Sequence, residues 1–338
     1  MQDKSPGLKV SRKNGEKIRK ALVEMGAFDR TRKICSDESH VYLPILDIDE
    51  IEAAKIRSIG QFELVAINFQ LEEHVLCPED FLGFRPSFEV VGDIAMVEDS
   101  DAERVAAALM STSKSIKTVI APISDVEGEF RTRRFRHVAG EARTVTLHKE
   151  HGLRYRVDLE GAYFTPRLGT ERLRIAGLVS PDDVVLDMFA GVGPFALLLA
   201  KKGADVIAMD KNPVAVKYLR ENALLNKVNN IMILEGDAAD LALRYENLAD
   251  HVIMNLPHSA SAFLLPAIRA AKPDGIIHYY CIAPEDDLYG DEARIRRAAE
   301  EMNAGVEVLY KEIVRSYAPH RHNVVIDFRV KKHDLILY

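Results

Sequence analysis

A short apolar run, Val184-Val-Leu186, ends in Asp187-Met-Phe-Ala-Gly191-Val-Gly193-Pro-Phe195 and passes into an Ala- and Leu-rich stretch to Lys201. The run reads as a buried parallel strand, the glycines as a tight turn and the remainder as helix. Glycine lets a backbone pass close to a ligand where any Cβ would collide. Val206–Asp210 reads as a second strand ending in an acid, roughly 20 residues on, the spacing at which an acid accepts both hydroxyls of a ribose. Ile231–Leu234, Val252–Met254 and Ile276–Tyr280 read as three more strands. Helical patterns separate them over 213–226, 260–271 and 291–304. Such alternation predicts a doubly wound, mostly parallel sheet with a ligand at the carboxyl ends of its strands. Val306–Tyr310, Val314–Pro319 and Val324–Phe328 read as closing strands, paired as an antiparallel hairpin.

Gly191-Val-Gly193-Pro-Phe-Ala196 also fits the dinucleotide fingerprint, so an NAD-dependent oxidoreductase stays open on this motif alone. Three features favour S-adenosylmethionine. Asp187 stands at the strand tip ahead of the glycines, where it can face the amino-acid part of that cofactor. Asp237 follows the third strand, placed to meet the adenine amine. The fourth strand ends in Asn255-Leu-Pro-His258, close to the Asn-Pro-Pro-Tyr type of tetrapeptide in methyltransferases that modify planar nitrogens. The antiparallel ending is also usual for methyltransferases and unusual for NAD domains.

The 338 residues suffice for two or three domains. A net charge of −7 does not announce a nucleic-acid partner, although local charge still can. Cys35, Cys77 and Cys281 lack metal-type spacing and suit a reduced, cytoplasmic protein; no metal ligand set is read from the chain. No run approaches a membrane span, and no apolar signal core opens the sequence.

Upstream, Leu8-Lys-Val10, Tyr42-Leu-Pro-Ile45 and Glu63–Ile67 read as strands, with helices over 13–25 and 50–59. Residues 1–70 thus read as a small α+β module carrying a basic cluster, Lys13, Lys17, Arg19 and Lys20. Pro78, Gly83 and Pro86 break the pattern, so 71–87 reads as a linker. Residues 88–160 read as a second α+β domain, with a strand pair around Gly92-Asp93, a helix over 101–110 and a strand at 118–120. Leu153–Leu159 and Ala162–Phe164 read as strands leading into the last domain, 161–338. From Glu129 to Arg156 there are eight Arg and Lys against three acids. This local reversal is either a solvated strand edge or a phosphate-binding surface; Phe130 and Phe135 among the arginines favour nucleic acid.

Taken together, the chain resembles the archaeal tRNA (guanine-37, N1)-methyltransferases. The resemblance rests on Gly128-Glu-Phe-Arg131, His137-Val-Ala-Gly-Glu141, His148-Lys-Glu150, Tyr163-Phe-Thr-Pro-Arg-Leu-Gly-Thr-Glu-Arg172, Asp187–Phe195, Met254-Asn-Leu-Pro257, His278-Tyr-Tyr280 and Arg315-Ser-Tyr-Ala-Pro319. It implies a Rossmann-like class I methyltransferase domain preceded by two small α+β RNA-binding modules, the first acting on the tRNA elbow. It implies S-adenosyl-L-methionine as cofactor, tRNA as partner and a monomer. By the same resemblance Glu171 would be the general base that removes the guanine N1 proton, and Arg131 would hold O6. Asn255 would position the guanine and Tyr163 line the site. Asp187, Asp210 and Asp237 would hold the cofactor, with Phe189, Gly191, Gly193, Asn255 and Pro257 shaping its pocket. Arg172 would also stand at the cofactor; Arg172 and Arg167 would steady the active-site loop or the tRNA backbone, and Arg133, Arg134, Arg136 and Arg315 would meet RNA. A related branch also methylates a tricyclic wyosine precursor; its tetrapeptide tends toward Asn-Pro-Pro-Tyr, from which Asn255-Leu-Pro-His258 departs.

Overall fold

The computed structural model describes residues 4–72, 76–98, 100–125 and 128–332. Residues 73–75, inside the segment read as a linker, lie outside them. The chain divides into two compact units, 1–77 and 78–338.

In the first unit β1 (Ser5–Ser11), α1 (Arg12–Glu24), β2 (Cys35–Ser36), β3 (His40–Pro44), α2 (Glu50–Ile59) and β4 (Phe62–Ile67) build an antiparallel sheet in the order β2-β3-β1-β4. Leu8, Val10, Ile18, Leu22, Leu43 and Ile56 close its core. Asp49 starts α2 through a reciprocal cap, accepting from Glu52 N–H at 2.8 Å while the Glu52 carboxylate accepts from its own N–H. On α1, Arg19 pairs with Glu16, so part of the basic cluster is satisfied on its own helix.

The second unit begins with α3 (Pro78–Leu82), a helix inside the segment expected as a linker; Leu82 packs into a core with Val105 and Leu109. β5 (Phe88–Val91), β6 (Ile94–Val97), α4 (Ala102–Thr112), β7 (Thr118–Pro122) and β8 (Phe135–Gly140) come after it, with sheet order β5-β6-β7-β8. Next is the hairpin of β9 (Val145–Glu150) and β10 (Leu153–Asp158), whose Leu153 and Tyr155 share a core with Ile175, Phe195 and Leu219. Asn222 and Asn226, one turn apart at the end of the helix Pro213–Leu225, act as the missing strand edge. Asn222 accepts from Arg156 N–H at 2.7 Å and donates to the Arg156 carbonyl at 3.0 Å, and Asn226 treats Arg154 in the same way. Two carboxamides thus satisfy the outer backbone of β10, which would otherwise lie unpaired against a helix.

The remaining elements are α5 (Gly169–Leu178), β11 (Val184–Asp187), α6 (Ala196–Lys201), β12 (Asp205–Asp210), α7 (Pro213–Leu225), β13 (Ile231–Glu235), α8 (Ala238–Ala242), β14 (Ala249–Met254), α9 (Leu264–Ala270), β15 (Ala271–Pro284), α10 (Asp291–Glu301), β16 (Ala304–Ala318) and β17 (Arg321–Lys332). They form a seven-stranded sheet in the order β13-β12-β11-β14-β15-β17-β16, parallel except at β17, which runs antiparallel to both neighbours. Alternate residues feed the two faces: Leu186, Met209, Val252 and Tyr279 one core, Val185, Ala208, Ile253 and Tyr280 the other.

Three expectations of local structure change. Ala162–Phe164 is not a strand. The helix expected over 260–271 opens as a 3-10 turn, Ala260–Phe263. Val306–Tyr310 and most of Val314–Pro319 belong to one long strand, β16, which stops at Ala318, with irregular register at Val308/Tyr310 and Ile313/Arg315. Such bulges turn the strand's side chains and interrupt their alternation without ending the strand.

Candidate active site

Strand order reverses between β11 and β14, and a cleft opens at the carboxyl ends of these strands. Of the residues expected at the site, Arg131, Tyr163, Arg172, Phe189, Gly191, Asp210, Asp237, Asn255, Pro257 and Arg315 line it.

One wall is built by the tips of β11, β12 and β13. Asp187, expected at the cofactor, is 1 % exposed and lies behind Met188 and Phe189, off the cleft lining; its Oδ1 accepts from Phe189 N–H at 3.4 Å, and its Oδ2 has no partner. Burial pushes this carboxyl up to about 7, with the charge of Asp210 acting in the same direction. A buried acid with an unpaired oxygen beside a glycine turn suits a cationic group, and S-adenosylmethionine carries an ammonium and a sulfonium. Gly191 has φ +56°, and a Cβ there would meet nothing nearer than the Tyr163 carbonyl at 3.9 Å, so glycine keeps the turn left-handed and the cleft open. These features fit that cofactor.

Gly193 differs. At φ +96° its Cβ would sit 2.3 Å from Leu219 Cδ1, which makes it a packing glycine under the turn, off the cleft wall. Asp210 Oδ2 accepts from Gly191 N–H at 2.7 Å and Oδ1 from Asn212 N–H at 2.8 Å, stapling the glycine turn to the tip of β12. Burial raises its pKa against the pull of these amides. Asp237 caps α8 through Ala239 N–H at 2.9 Å and receives Lys211 Nζ at 3.1 Å; the amide and the ammonium hold its carboxyl below its ordinary value. Each carboxylate keeps lone pairs beyond those its own loop uses.

The opposite wall comes from distant elements. Gly128–Arg131 forms a turn in which Arg131 N–H donates to the Gly128 carbonyl and Arg131 takes φ +54°. The guanidinium lies 5.0 Å from the centre of the Tyr163 ring. Burial lowers the Arg131 pKa, opposed by the two tyrosines Tyr163 and Tyr317, with the charge of Arg315 adding to the lowering. Arg315 reaches the Tyr163 hydroxyl at 3.5 Å, and its buried Nε has no partner. Asn255 follows β14 directly, and Ile282 N–H donates to the Pro257 carbonyl at 3.0 Å, fixing the tetrapeptide to β15. His258 packs edge-on against Tyr317, with ring centres 5.2 Å apart.

Glu171 does not stand on this wall. It is 9 % exposed, and its carboxylate accepts from Arg174 at 2.7 and 2.9 Å and from the Tyr280 hydroxyl at 2.6 Å. Arg174 continues to Asp327 at 2.6 Å, Asp327 to His278 at 2.8 Å, and His278 to His251 at 3.0 Å. Successive helix residues diverge by about 100°, so α5 turns Glu171 toward β15 and β17 and Arg172 toward the cleft. Ile282, on the same strand face as Tyr280 but two residues on, does line the cleft. Glu171 therefore sits behind the residues that line the cleft.

Arg172, expected beside the cofactor or tRNA, is 1 % exposed and held in a bidentate pair with Glu150 at 2.6 and 2.7 Å, with a third bond to the Thr165 carbonyl. It steadies the 163–168 loop from below. Arg167 pairs with Glu89 at 3.0 Å and Arg136 with Glu103 at 2.8 Å; these two, the half-buried Arg133 and the exposed Arg134 stand off the cleft wall. Sequence reasoning passed over Lys211, which joins Glu129 to Asp237 and so ties the Arg131 turn to the cofactor wall. It also passed over Asn323. No local pattern signals a pair 82 residues apart such as Glu129 and Lys211.

The TRM5/TYW2 methyltransferase domain model matches residues 146–309, the Trm5 N-terminal domain model 7–53 and the TYW2 N-terminal domain model 71–144. A curated relative, tRNA (guanine(37)-N(1))-methyltransferase Trm5b of Pyrococcus abyssi, is 41 % identical over 96 % of this chain and 98 % of its own. The crystal structure of Trm5b from Pyrococcus abyssi superposes with a TM-score of 0.70 at 40 % identity, covering 97 % of this chain and 99 % of that one. A solved complex of aTrm5 with tRNALeu gives a TM-score of 0.66 at 35 % identity, over 96 % of this chain and 99 % of that one.

Proposed function

The chain belongs to the TRM5/TYW2 methyltransferase family, and from that premise we propose that it transfers the methyl of S-adenosylmethionine to N1 of the guanosine 3′ of the tRNA anticodon. One observation carries the reading: a single cleft is shared by the acid-tipped strands of a cofactor site and by Asn255, Arg131 and Tyr163. When bound, the cofactor supplies an electrophilic methyl on a sulfonium.

Neutral guanine N1 carries a proton and is a poor nucleophile, so that proton has to leave. In this proposal it passes to the Glu171 carboxylate, a transfer worth about 10²–10⁴-fold. Negative charge then grows on O6, and a donor fixed there contributes about 10²–10³-fold; Arg131 takes this role. Its stack on Tyr163 aims the guanidinium, and partial burial strengthens its field. Asn255 orients the ring at the strand tip. Asp187, Asp210 and Asp237 bind and orient the methyl donor. The surroundings of Glu171 set a condition: it must exchange Arg174 or Tyr280 for N1–H, through a rotamer change or a shift of α5, as the base enters. Flipping the base from a stacked loop costs a few kcal/mol, and phosphate contacts by Arg133, Arg134 and Arg315, and by Arg136 and Arg167 on exchanging Glu103 and Glu89 for phosphate, offset that cost.

On the same reading the first unit binds the tRNA elbow, and the enzyme works as a cytoplasmic monomer. Among the described residues no helix is long and apolar enough to cross a membrane. A second reading, action on a tricyclic wyosine precursor, has the match to the TYW2 N-terminal domain in its favour. The Trm5-type match at 7–53 and the near full-length relative favour the first. Mass spectrometry of tRNA digested after incubation with labelled cofactor tests both. Label in 1-methylguanosine at position 37 is the expected result; label elsewhere, or none, overturns it.

A further inference from the structure

The edge of guanine that must enter the cleft presents three groups in a row: O6, an acceptor; N1–H, a donor; and the exocyclic N2 amine, a donor. An arginine such as Arg131 can serve only O6, because a guanidinium has no acceptor. Something else must accept from the amine. Of the carboxylates that line the cleft, Asp210 and Asp237 are given to the methyl donor in the proposed reaction and Glu129 is paired with Lys211; Asn255 is given to orienting the ring. Asn323 is different. It is 2 % exposed, it lines the cleft, and its Oδ1 is buried without a hydrogen-bond partner. An unsatisfied buried carbonyl is unfavourable, and a ligand donor removes that cost.

Its position in the sheet joins the two parts of the base-binding wall. On β16, Arg315 is the cross-strand partner of Asn323, and Arg315 touches Tyr163, on whose ring Arg131 lies. On β15, Ile282 is its other partner, and Ile282 N–H holds the Pro257 carbonyl of the tetrapeptide. Asn323 therefore stands between the Arg131–Tyr163–Arg315 stack and Asn255-Leu-Pro257. We propose that Asn323 is a specificity-determining residue whose carboxamide oxygen accepts a hydrogen bond from the exocyclic amine of the target guanine. This inference rests on the guanine-37 reading and deepens it: Arg131 reads O6 at one end of the edge and Asn323 reads the amine at the other. Adenine, with an amine at the O6 position and no group at C2, meets a donor with a donor and leaves Asn323 unsatisfied.

The test compares full-length enzyme acting on tRNA transcripts that carry guanosine or inosine at position 37, since inosine is guanosine without the exocyclic amine. Wild type should prefer guanosine by about 10–100-fold in kcat/KM, the loss expected for one buried, unpaired polar group. Asn323→Ala should lose that factor on guanosine and change little on inosine, so that the preference collapses toward one. Asn323→Asp keeps an acceptor at the same place and should retain the preference even if both rates fall. Calorimetric affinity for S-adenosylmethionine, unchanged in both variants, establishes that the fold and the cofactor site persist. An equal fall on both transcripts, or an unaltered preference in Asn323→Ala, overturns the role of Asn323 and leaves the guanine-37 reading standing. Wild type without activity on guanosine-37 transcripts overturns that reading instead, whatever the variants do.

Discussion

The two walls of the cleft are built in different ways. On the cofactor wall each acid is held by a backbone N–H two residues on: Asp187 by Phe189, Asp210 by Asn212, Asp237 by Ala239. These are turns that an aspartate closes on its own chain, and they need little from elsewhere. On the base-binding wall the links are long. Arg315 and Tyr163 are 152 residues apart, and in the network behind the wall Glu171 and Tyr280 are 109 apart and Arg174 and Asp327 153 apart. Chemistry that recurs across many enzymes is thus encoded in short stretches. On the proposed function, recognition of one particular base would be assembled from the turn at Gly128–Arg131, the loop at Tyr163, the tip of β14 and the last two strands.

The contrast can be broken most decisively at the assembled wall. Arg131→Ala and Glu171→Gln should each lower single-turnover methylation by about 10² or more while cofactor affinity holds. Near-normal turnover in Glu171→Gln would mean that the carboxylate stays with Arg174 and Tyr280 throughout and takes no proton. Next in size is the glycine turn. Gly193→Ala forces a Cβ against Leu219 at a positive φ, and should destabilise the protein by about 2 kcal/mol, read as a lower Tm; an unchanged Tm would show that the turn relaxes freely.

Asp187 gives a pH signature confined to the cofactor wall. Its carboxyl, raised to about 7, favours the neutral form in the folded protein. Its contribution to folding stability is therefore fully present below its unfolded pKa of about 3.9 and is lost as pH rises toward 7. A cationic ligand prefers the ionised form, so cofactor affinity should rise by up to about tenfold per pH unit over the upper part of that window and level off above 7. Calorimetry on wild type and Asp187→Asn checks this, and a wild-type profile as flat as the variant's would remove Asp187 from the cofactor. The smallest effect belongs to the tie between the walls. Lys211→Met removes an exposed bridge to Glu129 and should raise KM for tRNA by about threefold, in line with the modest worth of exposed ion pairs. A change in cofactor affinity alone would place Lys211 wholly on the other wall.

Local signals in the sequence were enough for the sheet. Short apolar runs at Val184, Val206, Ile231 and Val252, each followed by glycine, acid or asparagine, mark strands and their tips because a buried strand must be apolar and its ligand-facing end cannot be. The same signals fail where pairing is long-range. Residues 145–158 look like part of the basic domain, yet Asn222 and Asn226 on α7 draw β10 to the methyltransferase core. Many arginines that look free in sequence are paired: Arg143 with Asp93, Arg136 with Glu103, Arg156 with Glu221.

By itself the sequence determined the strand–turn–helix unit, the acids at the strand tips and the alternation that forces a doubly wound sheet, since each depends on neighbours a few residues away. Tertiary structure alone decided that Arg172 meets Glu150, that Glu171 faces Arg174 and Tyr280, and that Asn323 keeps an unpaired carbonyl at the cleft. Helix phase and strand register select which side chains meet, and both are set only when segments more than a hundred residues apart have packed together.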